Sequence, residues 1–216
     1  MSLMMRPKQA LYTLIDALAP YAQEIDEIIA AGVTDGFILR NDKEYANIYL
    51  LQAGYVNIRR EPDGLVVATA FAPDVIGLAH YPGVEAHFYF ELGPHCTLLS
   101  VARTKAVAQV NRHDLHREMM QVISFKMAFL YERDRAIQQS NANDIVLSML
   151  KRFALIPREF RDTITVSRFI EQRTTLSRSS IQRVLSRLRQ ESVITLQEGF
   201  LVDTVLPSTR KYSISE

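Results

Sequence analysis

Between Arg173 and Arg189 the chain carries five arginines and no acidic residue, within the stretch SRFIEQRTTLSRSSIQRVLSRLRQESVI that runs from Ser167 to Ile194. A guanidinium is a permanently charged, planar fork of donors. It suits paired acceptors such as a phosphate, a carboxylate, or the O6 and N7 edge of guanine. In the same stretch Ile181, Val184, Leu185 and Leu188 recur at helical spacing and describe the inner face of a helix. Ser177 is placed to cap that helix, its hydroxyl accepting an otherwise unpaired backbone N–H. The cap turns Arg178, Ser179, Gln182, Arg183 and Ser186 toward solvent near the helix start. Arg173 and Arg187, nearer the turn and the helix end, are expected on phosphates or the free surface.

A basic amphipathic helix taken alone is ordinarily a solvated face. Its neighbours change the balance. Val166, Phe169 and Ile170 describe a short helix ahead of it, RTTLS reads as the turn between the two, and VITLQEGFLVD alternates around Glu198-Gly199 as a hairpin does. Helix, turn, helix and hairpin in that order predict a winged helix-turn-helix, whose second helix enters the major groove of double-stranded DNA.

The remaining reactive residues are sparse. Cys96 beside His95 invites a redox reading, since a neighbouring cation lowers a thiol pKa, but a lone cysteine is more often an inert buried hydrophobe. One cysteine forms no intramolecular disulfide and supplies too few thiolates for an iron–sulfur cluster. His113 and His116 stand three apart at a helix start but are too few to hold a metal, and His80 and His87 have no ligand spacing. No Gly-rich phosphate loop, Gly-x-Ser-x-Gly elbow or His-Glu-x-x-His pair occurs, so the sequence predicts neither a cofactor nor catalysis.

What must position the basic helix can be read from the rest of the 216 residues. From Lys151 onward there are 12 Lys and Arg against 7 Asp and Glu, while the preceding part holds 13 against 17. The net charge of +1 therefore conceals a basic end suited to a polyanion. No apolar run approaches the roughly 18 residues of a membrane span, and the cytoplasm is the expected location. Seven of the eight glycines lie at or before Gly93, among short β-like runs broken by Gln52-Ala53-Gly54 and Pro62-Asp63-Gly64. Further strands are expected over Ala86 to Leu92 and Leu98 to Val110, giving a small barrel or sandwich. Leu11, Leu14, Ile15 and Leu18 predict a lead-in helix packed on it.

From Asp114 to Gln139 there is neither glycine nor proline, and Met120, Ile123, Met127, Leu130, Asp134 and Ile137 form an alternating three-four seam. A second apolar face, Leu115, Met119, Val122 and Phe129, is available to cover the barrel, so the seam is expected to meet a symmetry mate in a homodimer. The polar run QQSNAND, Gln138 to Asp144, reads as a hinge.

The stretch TLSRSSIQRVLSRLRQESVI resembles the recognition-helix signature of the Crp/Fnr transcription regulators, with Ser177, Arg178, Ile181 and Arg183 matching its pattern. The resemblance implies base contacts by Arg178, Ser179 and Arg183. The two-fold symmetry of a homodimer predicts a pseudo-palindromic operator, and RNA polymerase is a candidate further partner. The resemblance runs along nearly the whole chain, YLLQAGYVNI resembling the family's strand-Gly-strand motif. It therefore implies an α+β architecture. Residues 1–113 would form a cyclic-nucleotide-binding-like β-barrel (jelly roll), 114–140 a dimerisation helix and hinge, and 141–216 the winged domain.

Family members that hold a cyclic nucleotide use a Phe-Gly-Glu run and an Arg-Ser/Thr-Ala triplet. Here VIGLAHYPG and PHCTLL put Gly77-Leu78 and His95-Cys96 in those places. Without the carboxylate and guanidinium, cyclic AMP is not an expected ligand, and the effector, if there is one, is another small molecule. The segments IGLAHYPG, FIEQRTTLSRS and LPS are similar to the degenerate IprA/YaiV-like branch of the family, which is associated with repression of hydrogen peroxide resistance. A sensor of small molecules or partner proteins, using the basic domain as a protein-interaction module, is the alternative.

Overall fold

The computed structural model describes residues 6–25, 47–79 and 87–205, together with the backbone of Ile38–Arg40. His80, Ala86 and the closing Leu206-Pro207-Ser208 lie outside the described residues. The described residues divide into two compact units, one running up to Leu130 and the other starting at Tyr131.

The first unit opens with α1 (Lys8–Leu18) and a 3-10 turn, Ala19–Tyr21. The strands follow: β1 (Gln23–Glu24), β2 (Ile38–Arg40), β3 (Asn47–Ala53), β4 (Tyr55–Arg60), β5 (Val66–Phe71), β6 (Asp74–Ile76), β7 (Phe88–Leu92) and β8 (Thr97–Ala102). They make two antiparallel four-stranded sheets, ordered β1-β8-β3-β6 and β2-β7-β4-β5. Among the described residues no ladder joins the sheets, so the expected barrel is an open, two-sheet jelly roll.

The apolar run in β3 is continuous because the strand is covered on both faces. Ile48 and Leu50 join Leu11, Leu14 and Leu18 of α1 in a helical-side core. Tyr49 and Leu51 join Val56, Ala70, Phe90 and Leu98 in a second core. A strand with one wet face would have alternated.

At Gly54 the chain leaves one sheet for the other with φ +73°, and a Cβ there would stand 2.9 Å from Cα of Cys96 and 3.1 Å from O of His95. This corner therefore packs backbone to backbone against the β7–β8 corner, which only glycine permits. The expected turn at Gly54 is a change of sheet, whereas the one at Pro62-Asp63-Gly64 closes the β4–β5 hairpin.

Two expectations are corrected. The strand expected over Leu98 to Val110 stops at Ala102, and Arg103–Arg112 is helix α2. Ala106 and Val110 are buried while Val107 is 47% exposed, a one-sided burial at a spacing of four that fits helix rather than strand. The long helix, α3, spans His116–Ile137. Leu115 and Val122 lie in the helical-side core with Met119 packed against it, and Met120, Met127 and Leu130 are exposed. Ile123, expected on the free seam, is half-buried against that same core, because its position adjoins Val122 on the barrel-facing side. Ile137 is half-buried within the second unit.

A buried carboxylate ties three parts of the first unit together. Asp74 is 7% exposed and accepts Nζ of Lys126 on α3 at 2.7 Å and the Val75 N–H at 2.7 Å, with an Arg6 guanidinium nitrogen at 3.1 Å. Arg6 also donates to the carbonyls of Phe71 and Pro73.

The second unit adds α4 (Ala142–Ala154), α5 (Arg158–Arg161), α6 (Val166–Glu171), α7 (Arg178–Gln190) and the hairpin β9 (Ile194–Gln197) to β10 (Phe200–Thr204). Sequence reading had not singled out α4, although Val146, Met149, Leu150 and Phe153 give it a buried stripe. Its start lies inside the expected hinge, where Asn141 Oδ1 accepts the Asp144 N–H at 3.0 Å as the N-cap.

Replacing Asp74 by asparagine leaves two cations around a neutral amide. Because Arg6 and Lys126 keep partial solvent access, the expected loss is about 2 kcal/mol, below the ~3–5 kcal/mol of a wholly buried pair. Urea unfolding is the check, with Lys126→Met expected to cost less because Asp74 then keeps Arg6.

Candidate nucleic-acid interface

The second unit is built around the inner face of α7. Ile181, Val184, Leu185 and Leu188 are buried against α4 and α6, where Phe153 and Phe169 meet at a centroid distance of 4.7 Å. Fixing that stripe inward fixes the opposite face outward. Arg178, Ser179, Gln182, Arg183, Ser186, Arg187 and Arg189 are all exposed.

The start of α7 is capped as its sequence predicts. The Ser177 hydroxyl accepts the Ser180 N–H at 3.2 Å and lies 2.9 Å and 3.0 Å from the hydroxyls of Ser180 and Ser179. Arg183 reaches the Ser180 hydroxyl at 3.4 Å, and Arg187 pairs loosely with Glu191 at 3.7 Å. Arg183 and Arg187, with Ala142 and Asn143 at the beginning of α4, line an open recess of about 400 Å³. Two guanidinium groups beside a helix N-terminus suit an anionic oxygen.

The wing is pinned to the helix pair. Glu198 (φ +51°) and Gly199 (φ +88°) provide the two left-handed residues of a type I′ turn between β9 and β10. The Val166 N–H at the head of α6 donates to the Gly199 carbonyl at 2.9 Å, and a Cβ at Gly199 would press on Thr165 at 3.2 Å.

Arg173 is a correction. It is 8% exposed, donates to the Phe169 carbonyl at 3.2 Å and stacks its guanidinium 3.9 Å above the Phe169 ring. It anchors the turn from inside instead of presenting charge to solvent, because the α6 C-terminus offers it both a carbonyl and an aromatic face. Two residues that sequence reading passed over touch the exposed set instead. Glu171 accepts from the Ser167 hydroxyl at 2.8 Å and approaches Nε of Arg178 at 3.6 Å, while Gln182 donates to the Ser167 oxygen at 2.9 Å. Their signal was the Ser-x-x-x-Glu spacing on α6, which puts both on one face.

The four residues expected in a ligand pocket do not come together. Gly77 (φ +88°) sits by Asn47 at one end of β3, where a Cβ would meet the Asn47 carbonyl at 3.1 Å, and Arg103 donates to the Gly77 carbonyl at 2.7 Å. Leu78 is buried in the helical-side core. His95, exposed and with φ +54°, and Cys96 occupy the β7–β8 corner at the other end of β3, beside Gly54. Six residues of extended chain separate those ends by roughly 20 Å. His95 and Cys96 thus belong to an inter-sheet corner, a role that a motif alignment without three-dimensional register does not distinguish.

Cys96 is half-buried against the inter-sheet core, and burial pushes its thiol up to about 11. At His116 the ring nitrogens face Asp114 at 3.4 Å and Asn111 at 3.0 Å, and His113 is exposed. Among the described residues no group of three or more His, Cys, Asp or Glu is placed to hold a metal. No helix there is long and apolar enough to cross a membrane.

A two-sheet jelly roll, a long helix and a winged helix-turn-helix make the fold of the Crp/Fnr-type DNA-binding regulators, and this chain has that fold. A family model described as winged helix-turn-helix DNA binding matches residues 142–208. The chain is 26% identical over 200 residues to the Salmonella typhimurium protein named inhibitor of hydrogen peroxide resistance, covering 91% of this chain and 93% of that one. Among solved structures it is similar to a CooA variant from Carboxydothermus hydrogenoformans, at a TM-score of 0.67 and 12% identity, covering 88% and 89% of the two chains. It is also similar to the c-di-GMP responsive global regulator CLP of Xanthomonas campestris, at 0.66 and 11%, covering 91% and 100%.

With its thiol near 11, Cys96 holds only about one thiolate in ten thousand at pH 7. Alkylation by iodoacetamide is expected to be slow at neutral pH and to accelerate about tenfold per pH unit up to the thiol pKa. A rate already saturated at pH 8, followed by mass spectrometry, would show a thiol activated in a way this corner does not provide.

Proposed function

We propose that the chain works as a homodimer that reads a pseudo-palindromic operator through α7 and controls transcription in the cytoplasm. The observation that carries this reading is the outward face of α7, where Arg178, Ser179, Gln182 and Arg183 stand exposed on a capped helix start within a winged domain. Arg178 and Arg183 offer donor forks to guanine, and Ser179 lies between them. Arg187 and the recess beside Ala142 and Asn143 take phosphate oxygens. The resemblance to a protein named inhibitor of hydrogen peroxide resistance supports operators in the control of that resistance. The jelly roll then reports a signal other than a cyclic nucleotide, and RNA polymerase is the further partner.

Dimerisation uses the free stripe of α3. Met120 is 57% exposed, and Met127 and Leu130 are 44% exposed, on a helix whose opposite side is already packed. Three large apolar side chains in one row fit a second copy of the same helix. Glutamates at Met127 and Leu130 together are expected to give monomers by light scattering. Both side chains point outward, so circular dichroism should be unchanged while operator affinity falls.

Binding selection on random DNA tests the reading directly. The wild-type chain should recover two half-sites about 34 Å apart, one helical turn. Arg183→Ala should relax one position in each half-site, since a bidentate arginine–guanine pair discriminates by ~1–3 kcal/mol. Identical motifs and affinities for the two proteins would show that α7 does not read the groove.

A further inference from the structure

The exposed start of α7 is wired to α6 by a relay with a fixed direction. Glu171, as a carboxylate, only accepts. The Ser167 hydroxyl, 2.8 Å from Glu171 Oε1, therefore spends its single proton on it. The Ser167 oxygen is left as an acceptor, and it receives the amide NH2 of Gln182 at 2.9 Å. With its nitrogen turned inward, Gln182 presents its Oε1 outward.

The same carboxylate approaches Arg178 at Nε, at 3.6 Å, an approach that does not use the two Nη groups of the fork. One acid outside α7 thus sets what two of its side chains present: a donor pair at Arg178 and an acceptor at Gln182. A donor pair matches guanine O6 and N7, and an acceptor matches the amino group of adenine or cytosine.

We propose that Glu171 and Ser167 are positioning residues for base recognition, fixing the donor and acceptor pattern of α7 without themselves touching DNA. The proposal rests on the groove-reading function proposed above for α7. Neutralising the acid as Glu171→Gln keeps the size of the side chain but removes the obligation. An amide can donate to Ser167 as readily as accept from it, so the direction of the relay is lost and Arg178 is released. Removing the hydroxyl as Ser167→Ala breaks only the arm to Gln182. Glu171 and Ser167 both sit on a short helix whose buried residues are Val166, Phe169 and Ile170, so neither change touches the core.

The test is binding selection on random DNA with wild type, Glu171→Gln and Ser167→Ala, with Arg178→Ala and Gln182→Ala marking which base position each side chain reads. Glu171→Gln is expected to relax both positions, each by about two- to fivefold, the scale of one exposed ion pair or hydrogen bond. Ser167→Ala is expected to relax the Gln182 position alone. A Glu171→Gln variant that tightens or weakens all sequences alike would overturn the proposal, since the acid would then act only by its charge near phosphates. An unchanged motif would overturn it too. If the wild-type chain selects no sequence, the groove-reading function fails and takes the proposal with it. A wild-type motif that both variants reproduce removes the relay alone.

Discussion

The rotational setting of α7 is the constraint on which the candidate interface depends, and four side chains fix it. Ile181, Val184, Leu185 and Leu188 are each buried to within a few per cent, and burial of such side chains stabilises by about 1.5–3 kcal/mol apiece. An exposed ion pair or hydrogen bond on the opposite face contributes ~1 kcal/mol or less. The apolar stripe therefore decides which way the helix faces, and the polar contacts decide only how its exposed side chains are held. That division leaves the outer face free to carry charge, with the loose counter-ions of Arg178 and Arg187 supplied by Glu171 and Glu191 from beyond the ends of the helix. Between Gln172 and Gln190 no acid interrupts it.

The first unit solves a different problem, that of covering a sheet on both sides. β3 supplies Ile48 and Leu50 to the helical layer and Tyr49 and Leu51 to the space between the sheets, so one seven-residue strand is shared by two cores. The two inter-sheet corners then approach so closely that Gly54 has no room for a side chain. Asp74 closes the arrangement by joining the N-terminal arm and α3 to the sheet through charge. Breaking this contact from one side would leave buried charge without its partner, so it ties α3 to the sheet as well as apolar packing does.

The corners also explain why Cys96 and His95 are adjacent. His95 takes the left-handed conformation needed to turn the chain, and Cys96 begins the return into β8 with its thiol partly withdrawn from water. Desolvation favours the neutral thiol and raises its pKa, the opposite of what a peroxide-reactive cysteine requires. The pair is accounted for by the demands of a tight corner.

The sequence by itself determined those features that rest on local periodicity and local backbone chemistry. The stripes of α1, α6 and α7, the serine cap at Ser177 and the Glu198-Gly199 wing turn each involve residues within a few positions of one another, so spacing alone specifies them. Tertiary structure decided whatever depends on which distant segments meet. It turned the run after Ala102 into helix, withdrew Ile123 from the seam and buried Arg173 on Phe169. It also placed Gly77 and His95 at opposite ends of β3 and brought Glu171 on one helix to Arg178 on the next. The physical reason is the same in each case. An arginine, an isoleucine or a glycine has several acceptable environments, and only the neighbours supplied by the fold select among them.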